Sequence, residues 1–165
     1  MDRKRQLEQW LGAVLTEKAF TLSVASADAS FRRYFRVHLQ DKTLIAMDAP
    51  PEQESCTSFI DIAKLFLDCG LHVPEVILQD MEQGFLLLSD LGNDTYLSQL
   101  NKDTAQPLYG DATNALINLQ LASKPNVLPA YDAALLMREM QLFPEWYLAK
   151  HLNVNLDAAQ QSVLD

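Results

Sequence analysis

The sequence predicts an α+β fold, a five-stranded antiparallel sheet with one helix before it and one between its third and fourth strands, followed by a wholly helical segment. Three observations carry this prediction. Strand-length apolar runs, most of them alternating with period two, fill the first half of the chain. The first three runs are joined by connections too short for a parallel crossover, so those strands are antiparallel neighbours. Beyond Leu91 the alternation stops and the apolar spacing becomes helical. At 165 residues and 48% hydrophobic, the chain has enough apolar mass for one core and part of another.

Leu7, Trp10, Leu11, Val14 and Leu15 follow the spacing of one buried helix face. Phe20, Leu22 and Val24 then alternate with polar or small residues, which predicts the first strand. A polar stretch at residues 26–30 interrupts. In the second strand Phe31, Arg33, Phe35, Val37 and Leu39 share one face, while Arg32, Tyr34, Arg36 and His38 share the other. Turn residues 40–42 lead to a third strand at 43–48, which Pro50 and Pro51 stop. A helix expected from about Glu52 carries Phe59, Ile62, Ala63 and Phe66, with Gly70 as its C-cap. Residues 75–80 and 85–90 form a hairpin about Glu82, Gln83 and Gly84. The second of these strands is apolar on both sides, so both its faces are expected to be covered.

Gly92, Asn93 and Asp94 break the pattern, and residues 91–94 are expected to join a first lobe, 1–90, to an incomplete helical one, 95–165. Leu108, Ala112, Ala115, Leu116 and Leu119 form one helical stripe there. Leu136, Met140 and Phe143 form another, bent or restarted at Pro144. A last helix is expected from Asp157.

The balance of 13 basic to 22 acidic residues gives a net charge of -9, which repels phosphate backbones and argues against a nucleic-acid partner. Cys56 and Cys69 fall in the same expected helix, roughly 20 Å apart, too far for a disulfide. His38, His72 and His151 lack zinc-ligand spacing with either cysteine, so no metal site is expected. The N-terminus offers no apolar leader, and no apolar run is long enough to span a membrane. The chain is expected to be cytoplasmic, with no membrane partner, and the sequence leaves its oligomeric state open.

The order helix, three strands, helix, two strands, helices is the small-lobe topology of the protein-kinase-like fold. Ser26-Ala27-Asp28-Ala29-Ser30-Phe31-Arg32-Arg33-Tyr34-Phe35-Arg36-Val37 resembles the phosphate-loop hairpin of aminoglycoside phosphotransferase relatives. Met47-Asp48-Ala49-Pro50-Pro51-Glu52, Gly70-Leu71-His72-Val73-Pro74-Glu75-Val76, Gly84-Phe85-Leu86-Leu87-Leu88-Ser89-Asp90-Leu91-Gly92 and Leu142-Phe143-Pro144-Glu145-Trp146-Tyr147 extend the likeness. Together they resemble the bacterial N-acetylmuramate/N-acetylglucosamine sugar kinases of that superfamily, over the first half of such a protein.

This resemblance implies an ATP-dependent phosphotransferase of small molecules with ATP and Mg2+ as cofactors and a sugar as substrate. The residues alone leave Arg32, Arg33 and Arg36 open to two readings, a phosphate site or a solvated, salt-bridged strand face. The family context favours phosphate. The implied nucleotide-binding set is Asp28, Ala29, Ser30 and Phe31 in the loop, Arg33 and Arg36 on the strand, and Glu54. Ser89, Asp90 and Leu91 complete it at the hinge, where the backbone would meet the adenine edge and Leu88 would limit the pocket's depth. Protein kinases carry a phosphate-holding lysine on the third strand; Asp48 falls at that place here, a feature shared with the sugar-kinase branch. Arg33 or Arg36 is therefore expected to supply the cation, oriented by Glu54. Glu145 or Tyr147 is a further candidate for touching a sugar hydroxyl, against simple packing between helices.

Phosphoryl transfer in this superfamily uses an aspartate in an H-x-D-x-x-x-x-N setting and a second aspartate for magnesium. None of the three histidines begins that motif. The catalytic aspartate and the magnesium ligands are expected beyond residue 165, and the 165 residues alone are expected to be inactive. Two other classes are open: a non-catalytic nucleotide-binding or interaction module, and a nucleic-acid-binding domain using the three arginines.

Overall fold

The computed structural model describes residues 2–17, 19–27 and 30–164. Asp2 caps the first helix, α1 (Arg3–Val14), its carboxylate accepting from the Lys4 backbone N–H at 3.2 Å. Three strands follow, β1 (Thr21–Ala27), β2 (Arg33–His38) and β3 (Thr43–Asp48), then α2 (Cys56–Asp68) and the hairpin β4 (Val76–Asp80) and β5 (Phe85–Ser89). The five strands form one sheet in the order β1-β2-β3-β5-β4, antiparallel at every pairing. An α+β lobe with a five-stranded antiparallel sheet is what the apolar pattern predicts.

Strand alternation sorts the side chains onto two faces. Phe35 and Val37 of β2, Leu44 and Ala46 of β3, and Phe85 and Leu87 of β5 meet Leu7, Trp10, Leu11 and Leu15 of the α1 region. Trp10 and Phe85 stand with ring centroids 5.7 Å apart, and each fully buried apolar side chain here contributes about 1.5–3 kcal/mol. On the opposite face Met47, Leu86 and Leu88 pack with Cys56 at the start of α2, joined by Tyr34, Ile45 and Phe59. β5 is thus covered on both sides, and Phe85 to Leu88 are all buried.

Two local expectations change, at Val14 and at the start of the second helix, and Val24 keeps its strand but not a covered face. Val24 is 73% exposed, because β1 is an edge strand whose register shifts between Val24 and Ser26. Val14 ends α1 and is exposed. The helix after Pro51 begins at Cys56, not near Glu52: residues 51–53 make a turn, and the Ser55 hydroxyl accepts from the Thr57 N–H as N-cap. Glu54 therefore precedes the helix. Cys56 and Cys69 lie at opposite ends of α2, both free thiols.

Gly84 pins the entry to β5. Its carbonyl accepts from the Ala49 N–H at 2.9 Å, its φ is +71°, and a Cβ there would stand 1.9 Å from the Ala49 oxygen. Only glycine fits.

By packing, the chain divides into Met1–Ser123 and Lys124–Asp165. The first unit also holds α3 (Tyr96–Gln99) and α4 (Ala105–Ala122). The α4 stripe is half-buried at Leu108, Ala112 and Leu119 and exposed at Leu116. The second unit contains α5 (Ala133–Leu142), a π-helical segment (Phe143–His151) and α6 (Ala158–Leu164). Pro144 stands just past the junction of α5 and the π segment, where its lack of an N–H removes a hydrogen bond back into α5 and the helix changes its winding. Among the described residues no helix is long and apolar enough to cross a membrane.

Candidate nucleotide site

A cleft of about 430 Å³ opens on the α2 face of the sheet. Its floor is Tyr34 of β2, Ile45 of β3 and Leu88 of β5. Ala25 and Ser26 of β1 border it, Phe59 of α2 and Pro74 form one wall, and residues 89–93 form another. Leu88 is 2% exposed and lies on the floor of the cleft.

The wall at residues 89–93 is held from two directions. The Ser89 hydroxyl accepts from the Glu75 N–H at 2.9 Å, and the Ser89 N–H donates to the Glu75 carbonyl at 3.0 Å. From the other side comes Arg36, a β2 residue. Its Nε and Nη2 donate to the two Asp90 carboxylate oxygens at 2.6 and 3.1 Å, Nη1 to Asn93 Oδ1 at 2.5 Å, and Nη2 also to the Gly92 carbonyl at 3.1 Å. The Gly92 N–H caps the same carboxylate at 2.9 Å. The Arg36 hydrogen bond, with further ones from Thr43 and Gly92, holds the Asp90 carboxyl down at about 2, while Asp90 in turn raises the Arg36 guanidinium.

The three arginines part company. Arg33 shares the α1 face with Phe35, on the far side of the sheet from the cleft. There Asp48, 0% exposed, accepts from Arg3 on one oxygen and Arg33 on the other. Arg3 Nε and Nη2 stand 3.1 and 2.5 Å from Oδ1, and Arg33 Nε 3.1 Å from Oδ2, with Arg33 Nη2 closing the second bond. Arg3 also donates to the Gln83 carbonyl at 2.7 Å and lies over the Phe85 ring. Asp48 therefore fastens α1 to the sheet. It does not occupy a lysine's place in the cleft, because period-two alternation turns it away from Ile45 and Met47.

Arg32, on the cleft face, has its Nε 2.6 Å from Glu54 Oε2, a close charge contact not aligned as a hydrogen bond. Glu54 thus meets Arg32, and the expected partners Arg33 and Arg36 are bound to Asp48 and Asp90. Of the loop residues, Asp28 and Ala29 lie outside the described residues. Ser30 is exposed, its hydroxyl accepting from the Arg32 N–H at 3.1 Å, and Phe31 is 60% exposed.

Arg36, Ser89, Asp90 and Leu91 are thus brought to one cleft, and Arg33 is not. Sequence reading missed Arg3, whose partner is 45 positions away, weighed Arg32 as a phosphate cation without including it in the binding set, and passed over Tyr34, Ile45 and Phe59. The alternation that puts Arg32 and Tyr34 on Arg36's face was a usable signal for two of them. Glu145 and Tyr147 lie on the π-helical segment, where Tyr147 stacks between Phe143 and His151 with centroids 5.6 Å from each.

Glu54 and Asp90, the acidic side chains found beside the cleft, are each engaged by an arginine. Among the described residues no group of three or more His, Cys, Asp or Glu could hold a metal ion. These side chains do not fit a magnesium site.

The sequence profile described as the phosphotransferase enzyme family matches residues 21–165. The chain is also similar to N-acetylmuramate/N-acetylglucosamine kinases. It is 49% identical to that of Pseudomonas aeruginosa, over 94% of this chain and 49% of the relative. The Pseudomonas putida protein is 44% identical over 97% of this chain and 50% of its own length. The Neisseria meningitidis protein is 39% identical, over 99% and 50%. The chain spans about half the length of these relatives.

Proposed function

The chain belongs to the phosphotransferase enzyme family, and on that premise we propose that its cleft holds ATP as phosphoryl donor for a sugar of the N-acetylmuramate or N-acetylglucosamine class. The observation that carries this reading is the arrangement of residues 89–93. An apolar strand runs into a segment bordering an apolar-floored cleft, and Arg36 clamps that segment through its side chain and backbone. A planar base can lie between Phe59, Ile45 and Leu88 while its polar edge meets the main chain of residues 89–91.

In this proposal residues 1–90 are the nucleotide-binding lobe, 91–94 the hinge and 95–165 the helical start of the second lobe. Ser30 and Phe31 cover the phosphates from the β1–β2 connection, as would Asp28 and Ala29. The magnesium ligands and the catalytic aspartate are assigned to the part of the relatives that this chain does not span, and these 165 residues alone are assigned no turnover. No step of phosphoryl transfer is therefore routed through the side chains described. Their role is to bind and orient the donor, which is a large part of catalysis where positioning dominates. The sequence's acidic balance supports a small-molecule partner over nucleic acid.

Thermal denaturation with and without ATP, Mg-ATP and adenosine tests the reading. Nucleotide at 100 times its Kd stabilises the folded chain by about 2.7 kcal/mol, a rise of several degrees in Tm. No rise with any of the three ligands overturns it. A protein of the relatives' full length, given ATP and N-acetylmuramate, tests the substrate through the phosphorylated sugar it forms.

A further inference from the structure

Arg32 immediately precedes β2, two positions before Tyr34 and four before Arg36, a backbone span of about 13 Å at the rise of a strand. Arg36 is committed at one end of the cleft by its four hydrogen bonds to Asp90, Gly92 and Asn93. Arg32 is not among the residues that line the cleft but stands beside one of them. Its guanidinium carbon is 5.9 Å from the centroid of Phe59, a ring that lines the cleft. Its charge is also felt at the head of α2: burial pushes the Cys56 thiol up, and Arg32 is the foremost influence pulling it back.

The third strand offers no cation to this cleft. Its cleft-side residues are Ile45 and Met47, both apolar, and its one charged residue there, Asp48, faces α1. Tyr34 pairs with Met47 across the ladder, so Arg32 lies just past that pair, beside the end of β3. Glu54 reaches it from the turn before α2. In protein kinases a strand cation paired with a glutamate of the following helix grips the nucleotide phosphates, whereas Glu54 comes from the turn just before the helix. Here the cation immediately precedes β2 and does not come from β3.

We propose that the Arg32–Glu54 pair is the phosphate-gripping site of the cleft, taking nonbridging oxygens of a nucleoside di- or triphosphate whose base lies at residues 89–91. This rests on the nucleotide reading above and adds the group that tells a phosphorylated nucleotide from a bare nucleoside. With Nε in charge contact with the Glu54 carboxylate, the two Nη groups still carry N–H donors that can meet phosphate oxygens. Glu54 fixes the fork's direction, and Phe59 flanks it.

Calorimetric binding of ATP, ADP and adenosine to the unaltered chain and to Arg32→Ala, Arg32→Lys and Glu54→Gln tests the proposal. Arg32→Ala is expected to weaken ATP and ADP by about tenfold or more and to leave adenosine unchanged. Arg32→Lys recovers part of the loss, and Glu54→Gln weakens ATP by a smaller factor. Unchanged ATP affinity in Arg32→Ala overturns the proposal and leaves the nucleotide reading standing; an equal loss for adenosine overturns it as well. An unaltered chain that binds neither ATP nor adenosine overturns both. If circular dichroism shows Arg32→Ala to be unfolded, Arg32→Lys and Glu54→Gln decide, and ATP affinities equal to the unaltered chain's refute the site.

Discussion

Arg36 of β2 and Asp90 at the end of β5 stand 54 positions apart in the chain and 2.6 Å apart in space, joined by paired hydrogen bonds across the mouth of the cleft. The same guanidinium reaches Asn93 and the Gly92 carbonyl, so one side chain sets the path of the main chain that borders the cleft. Through that contact β2 governs the geometry of a segment it does not pair with.

Asp90→Asn is expected to release that segment. The Asp90 carboxyl titrates at about 2 in the folded chain, below its ordinary 3.8. A lowered folded value means the stabilisation is fully present above about pH 4 and is lost as pH falls toward 2. The difference in urea midpoint between the unaltered chain and Asp90→Asn should therefore be largest above pH 4 and shrink below it. A difference that grows on acidification contradicts this.

Arg36→Ala and Arg33→Ala should behave differently although the two residues are close in sequence. Arg36→Ala disturbs the wall at residues 89–93 and is expected to weaken ATP and adenosine together. Arg33→Ala removes a contact on the opposite face. It is expected to cost about 1 kcal/mol in stability, since that side chain is 45% exposed, and to leave ATP affinity within twofold. Titration calorimetry beside urea denaturation separates the two effects.

Asp48→Ala should cost about 3 kcal/mol, the lower end for breaking a buried ion pair, because the two arginines left behind can still reach water. The loss should appear as earlier exposure of Trp10 in α1, read by its fluorescence during denaturation. A midpoint equal to the unaltered chain's would show that α1 is held by its apolar face alone.

Gly84→Ala should destabilise the chain by at least about 2 kcal/mol. The added methyl meets the Ala49 carbonyl oxygen at 1.9 Å, and the backbone sits in the left-handed region. Gly70→Ala, at φ +75° but with open space around it, should cost less, about 1 kcal/mol. Equal losses in the two variants would mean that only the backbone angle counts.

Much of the sheet was legible in the sequence. Five strands, the helix between the third and fourth, and the covered β5 all follow from apolar period and connection length. The faces of Arg33 and Arg36 were legible too. Val24 lies in a strand as its alternation predicts, but its exposure was not legible, because alternation says nothing about whether a helix extends over an edge strand. The start of α2 was placed too early, because residues 51–53 form a turn and the signal for the helix is Ser55 as N-cap.

The sequence by itself determined that this chain makes an α+β lobe with arginines on both faces of its second strand. Only the tertiary structure decided which carboxylate each arginine meets: Glu54 for Arg32, Asp48 for Arg33 and Asp90 for Arg36. The physical reason is that a period of two is written locally, in consecutive residues, and fixes a face. A partner depends on strand register and helix placement across tens of residues, and a long guanidinium side chain has many carboxylates within reach until those are set. Asp48 shows the difference best, since its face could be read from its neighbours but its tie to Arg3 depends on where α1 docks.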